Sequence, residues 1–148
     1  LAAVTVGSAV AFPNQDPFSH NVFSNTDPVN FDLGLYRRGA TRSATFPRHG
    51  VFPVFCNIHA KMVSYVVAVP GRHVTSADAT GRFSFGDVPV GKYRVHAWHE
   101  HAARVVQELE VSSTNVHIAI TLDARRVIAG PHMNKYGLPY SSSRTDRY

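Results

Sequence analysis

Apolar residues in this chain recur at every second position rather than every third or fourth. Val4, Val6, Val10 and Phe12 share one parity, Phe52, Val54 and Cys56 form a second row, and Tyr65, Val67 and Val69 a third. Tyr93, Val95 and Ala97 continue the pattern, and Val116, Ile118, Ile120 and Leu122 give its clearest case. A period of two places alternate side chains on opposite faces of a strand, so each row predicts a strand with one buried face. Turn formers separate the rows: Asn14 to Pro17, Asp27-Pro28, His49-Gly50, Pro70-Gly71, Asp78 to Gly81, and Pro89 to Gly91. Only Ala102 to Glu110 admits a helical reading, and its Val105 and Leu109, with Val111 beyond, fit a strand face equally well. Many short strands joined by Gly- and Pro-rich turns predict an all-β sandwich.

The pattern changes character near Pro70-Gly71. Before it lie the cysteine and several Asn- and Pro-punctuated loops; after it, Thr75 to Asp123 reads as a set of short hairpins. From Pro131 onward the sequence PHMNKYGLPYSSSRTDRY has turn formers, three tyrosines and no periodicity. It is expected either to be disordered or to order on another surface, such as a partner's. The expected division is therefore 1–70, a second small β module over 71–124, and an extended tail over 125–148. The chain opens inside what reads as a strand, without an initiator Met, so sequence is expected upstream of Leu1.

Composition narrows the class. The 148 residues are 44% hydrophobic and 17% charged, which suits a globular chain with its own core. No apolar run approaches the roughly 18 residues of a spanning helix. The net charge of +5 comes from basic residues scattered in ones and twos, with no basic run, helix-turn-helix or phosphate loop beside them. That excludes a nucleic-acid reading and leaves a basic surface suited to an acidic partner. A single cysteine forms no internal disulfide.

The candidate chemistry sits in Cys56-Asn57-Ile58-His59-Ala60-Lys61-Met62, a C-x2-H-x2-M pattern at the end of a predicted strand, with Ser19-His20-Asn21-Val22 far upstream. Together these supply one thiolate, two imidazoles and one thioether. Soft sulfur ligands select Cu(I), imidazole suits both copper states, and a His2Cys plane with a weak axial Met describes a blue-copper centre. Cys56 is expected on the inward face with Phe52 and Val54, and the short loop returns His59 and Met62 to the same point.

VAFPNQDPFSHNVFS and GVFPVFCNIHAKM resemble the two ligand regions of cupredoxins such as amicyanin, plastocyanin and pseudoazurin, and the short loop is the amicyanin-like version. The resemblance spans about residues 3 to 70. Ser19 stands where that family often has proline, and Ala60-Lys61 replaces a bulkier pair. It implies a Greek-key β-sandwich with one type 1 copper, His20, Cys56 and His59 as equatorial ligands and Met62 as the axial one. It further implies that Asn14 bonds across to the cysteine loop. Some six strands are expected over this stretch where a cupredoxin has about eight, the rest lying upstream or in the second module. TSADATGRFSFGDVPVGKYRV resembles a carboxypeptidase-regulatory or transthyretin-like β module, a scaffold without chemistry of its own. The order of the two resembles plastocyanin-like and methylamine-utilisation proteins.

The implied function is single-electron transfer in the periplasm or another extracytoplasmic space, with a cytochrome or membrane redox complex as partner. Phe18, Ile58, Ala60 and Met62 are expected either to frame a docking patch around His59 or simply to pack the loop. The alternative is a non-catalytic accessory subunit of a redox assembly, with or without copper; copper delivery uses the same ligands. No nucleophile–base pair or paired carboxylates suggest an enzyme. His99 and His101 share a strand parity but lack a third ligand, which reads as surface histidines.

Overall fold

The computed structural model describes residues 1–112, 116–125 and 132–140. The chain is all-β: among the described residues there is no helix. Its strands are β1 (Ala2–Thr5), β2 (Ala9–Pro13), β3 (His20–Thr26), β4 (Val29–Tyr36), β5 (Thr41–Thr45), β6 (Gly50–Cys56), β7 (Val63–Val69), β8 (Gly91–His99) and β9 (Ala102–Val111). Two compact units result, Leu1–Ser84 with Met133–Tyr148, and Phe85–His132.

The first unit pairs a five-stranded sheet of order β1-β7-β6-β3-β4 with the two-stranded sheet β2-β5. Strand β1 runs parallel to β7, and the other pairs are antiparallel. Both sheets feed one core: Val29, Ala44, Phe46, Phe52, Val54, Val66 and Ala68 are buried together, with Val4, Val10 and Phe12 packed against them. Phe46 is completely buried, its ring 5.5 Å from Phe52 and 6.0 Å from Phe31.

Seven strands lie between Ala2 and Val69, not the six read from the alternation. The phase of β4 hides it: Val29, Phe31 and Leu33 share one parity and buried Tyr36 the other. A bulge causes the change. Asn21 pairs with Leu35 but Phe23 with Asp32, so Val22 faces two residues, one of them Gly34 at φ +66°. The first apolar row is likewise two strands, broken at Gly7, which leaves Val6 exposed.

In β7 the buried row is Val66 and Ala68, not Tyr65, Val67 and Val69. VSYVVAV is apolar on both parities, so the register decides: Phe52 pairs with Val66 and Gly50 with Ala68.

In the second unit β8 and β9 form one antiparallel hairpin, with Tyr93, Val95, Ala97, Val105, Leu109 and Val111 on the less exposed parity. Ala102 to Glu110 is thus strand. Val116–Leu122, the clearest alternation, joins no ladder. A period of two fixes which side chains share a face, but a strand also needs a neighbour for its backbone. The turn of the Thr75-to-Gly91 motif does form, before the second unit: Asp78 Oδ1 accepts from the Thr80 and Arg82 amides. Of the short hairpins expected over Thr75 to Asp123, β8–β9 is the one that forms among the described residues; Thr75–Val90 carries no strand.

Candidate metal centre

Strands β3 and β6 are neighbours, and Val22 stands opposite Cys56. Opposed residues of an antiparallel pair point to one face, and so does His20, two residues before Val22. Asn57 N–H donates to Asn21 O at 2.9 Å, which carries the pairing one step past Cys56. His20 and Cys56, 36 residues apart in the chain, therefore meet at one end of the sheet.

The chain then turns back sharply. Met62 N–H donates to His59 O at 3.0 Å and Cys56 N–H to Met62 O at 3.3 Å, so the C-x2-H-x2-M spacing is one closed loop. Its effect is to return His59 to the cysteine. Nδ1 of His59 lies 3.4 Å and Nδ1 of His20 3.7 Å from Cys56 Sγ, and one ligand atom from each residue falls within 4.8 Å of the others. Sulfur and nitrogen donors about 2.0–2.3 Å from a shared metal, at trigonal or tetrahedral angles, stand about 3.5–3.7 Å apart. The spacing fits one ion, and the thiolate with two imidazoles suits copper. Among the described residues this is the one such group of His, Cys, Asp and Glu side chains. Met62 closes the loop through its backbone and is exposed.

The loop before His20 is held by Asn14, a buried residue that directly follows β2. Its Nδ2 donates to Phe18 O at 2.9 Å and to Tyr36 O at 3.2 Å, and its Oδ1 accepts from Asp16 N–H at 2.9 Å. These bonds secure the first ligand's own loop and tie it to β4; they do not reach the Cys56 loop.

Asp16, which the alternation does not single out, is thereby placed on His20: its Oδ2 lies 2.7 Å from Nε2. A carboxylate there fixes the proton on Nε2 and turns the free pair of Nδ1 toward Cys56. The Asp-x3-His spacing was the available signal. The Phe18 ring lies 5.2 Å from His20 and 5.1 Å from His59, and the imidazoles are 5.0 Å apart. Burial, and then His20, hold His59 below its usual pKa, against the opposing pull of Asp16. A neutral imidazole is the form that ligates.

Two further groups had no sequence signal. The Tyr140 hydroxyl donates to Cys56 O at 2.7 Å, and Asn57 Oδ1 accepts from Lys135 N–H at 3.0 Å. Burial, then the Cys56 charge, push Tyr140 up to about 12, so it remains a donor. The His99 and His101 rings lie 5.6 Å apart at the hairpin turn, their planes tilted by 57°, and the His101 amide donates to His99 Nδ1.

No protein-family model and no curated protein matches the chain. Among solved structures it is similar to a purple cupredoxin from Nitrosopumilus maritimus, at 24% identity over 46% of this chain and 76% of that one, with a TM-score of 0.42. A reduced variant of amicyanin gives 24% identity over 46% and 68%, with a TM-score of 0.44. A Cu-containing nitrite reductase from Thermus scotoductus gives 23% over 45% and 18%, with a TM-score of 0.42.

Proposed function

We propose that this chain is a single-electron carrier with one type 1 copper held by His20, Cys56 and His59 and, axially, Met62. The observation that carries the reading is the convergence of a buried thiol and two Nδ1 atoms at 3.4 and 3.7 Å from positions 20, 56 and 59. Copper bound there supplies a one-electron Cu(I)/Cu(II) couple. The chain's part is to keep the three donors fixed so that little moves when the charge changes. Asn14 and Asp16 hold His20, the sheet holds Cys56, and the closed loop holds His59.

His59 is only partly buried, with Phe18 against it and Ile58 and Met62 exposed on the same loop. This rim is the proposed docking site for a redox partner, a cytochrome or a membrane redox complex. The net charge of +5 favours encounter with an acidic surface. A periplasmic or other extracytoplasmic location belongs to the same proposal. Residues 133–140 are engaged with their own chain at Asp32, Cys56 and Asn57, so they are not offered as the anchor of an accessory subunit; residues 141–148 lie outside the described residues.

Adding Cu(II) to the metal-free protein tests the assignment. An intense visible charge-transfer band with narrow copper hyperfine splitting is expected, and Cys56→Ser should abolish the band. A protein that stays colourless, or a band that survives the substitution, would overturn it.

A further inference from the structure

Strand β6 runs one residue past its neighbour. The β6–β7 register ends at Phe55 opposite Val63, so Cys56 lies beyond the last pair. Its N–H reaches back to Met62 O, and in an extended strand the carbonyl of the same residue points to that same edge. There β7 has already ended. Cys56 is 1% exposed, and a buried carbonyl without a donor is costly.

The donor comes from 84 residues away, as the hydroxyl of Tyr140 at 2.7 Å. Two more bonds fix the same stretch: Lys135 N–H to Asn57 Oδ1 at 3.0 Å, and the Lys135 ammonium to Asp32 Oδ2 at 2.6 Å. The stretch has its own internal frame as well. Asn134 Oδ1 accepts from the amides of Tyr136 and Leu138, and Asn134 N–H donates to Leu138 O. Gly137 closes the turn at φ +73°, a conformation that glycine adopts without strain.

We propose that Met133–Tyr140 is a strap that completes the metal centre, with Tyr140 as the positioning residue for Cys56. Two atoms of the ligand loop, the Cys56 carbonyl and Asn57 Oδ1, have their donors on the strap. Order in the loop and docking of the strap therefore support each other, and any ligand that orders one favours the other equally. The hydroxyl also aims the positive end of its dipole at the peptide of the ligating cysteine. That favours the more electron-rich state of the centre, so losing it lowers the reduction potential. This electronic consequence rests on the copper reading; the mechanical one does not.

Tyr140→Phe keeps the ring and removes only the hydroxyl. In the metal-free protein, Cys56 should then react with an aromatic disulfide about fivefold faster, the factor expected for one neutral hydrogen bond. In the copper protein the potential should fall. Exchange at the Lys135 amide should be slower with Cu(I) bound than without it. Lys135→Met, which releases the Asp32 contact without touching the loop, should speed the thiol reaction in the same direction and serves if the first variant does not fold. Unchanged thiol reactivity in the folded variants would overturn the strap. If neither wild type nor variant takes up copper, the electron-carrier reading fails, while the thiol measurement still decides the strap.

Discussion

The Asp16 carboxylate meets the His20 imidazole at 2.7 Å through Nε2, while Nδ1 of the same ring faces Cys56 Sγ at 3.7 Å. A neutral imidazole carries one proton, so fixing it on one nitrogen frees the other. Asp16→Asn keeps the shape and loses the charge. Metal affinity should fall about 10- to 100-fold, the usual cost of losing a partner that orients a ligating histidine. A chelator competition measures it, and 15N shifts of His20 in the metal-free protein should show a mixed tautomer. An unaltered tautomer with unaltered affinity would remove Asp16 from this role.

Asn14→Ala tests the level below. The side chain satisfies the carbonyls of Phe18 and Tyr36 and the amide of Asp16, and the residue is 2% exposed. Leaving such groups without partners should cost roughly 2–3 kcal/mol in urea unfolding of the metal-free protein. Metal affinity should fall too, because the freed loop carries both Asp16 and His20. A loss of stability with affinity intact would make Asn14 a fold residue only.

Part of the pattern reads directly: Phe52, Val54 and Cys56 are all buried as one row, although Val51, Pro53 and Phe55 make the other parity of β6 apolar as well, and the C-x2-H-x2-M spacing does close a loop on one point. The pattern was not readable where neighbours decide. In β7 both parities are apolar, and pairing with β6 selects Val66 and Ala68. In β4 a bulge at Gly34 shifts the phase in mid-strand. Val116–Leu122 alternates well and finds no ladder. The strap is invisible for another reason. Its contacts are single hydrogen bonds from Lys135 and Tyr140 to backbone and side-chain oxygens 78 and 84 residues away, which leave no period in the chain.

Phe46→Ala tests whether both sheets of the first unit share one core. The ring is completely buried and lies near Phe31 of β4 and Phe52 of β6. The residue's backbone also ties the end of β5 to the β1–β2 turn, donating to Ser8 O and accepting from Gly7 N–H. Truncation should cost about 3–5 kcal/mol in denaturant unfolding, lost transfer energy and cavity together. A much smaller loss would mean the sheets are not held by this contact.

Acid should act on the metal-free protein in two separate windows. His59 sits below its ordinary 6.5, chiefly through burial and then through His20. The folded state therefore binds fewer protons there than the unfolded chain. The stability this represents is present above the unfolded value and is lost as pH falls through it toward the folded one. Asp32 acts lower. Burial tends to raise it, but hydrogen bonds from Lys135, Asn21 and Gly34 outweigh that and leave it below 3.8, so its share is lost only as pH falls through that lower range. Urea midpoints followed from about pH 7 to about pH 3 should fall in two steps. Asp32→Asn should shrink the lower step, to which Asp78 and Asp123, also held below 3.8 by hydrogen bonds from Thr80 and from Arg125, contribute as well, and His59→Gln should remove the upper one. Copper(II) affinity should track the upper step alone, since a proton on His59 competes directly for a ligating nitrogen. A single step insensitive to His59→Gln would contradict the burial argument for that ring.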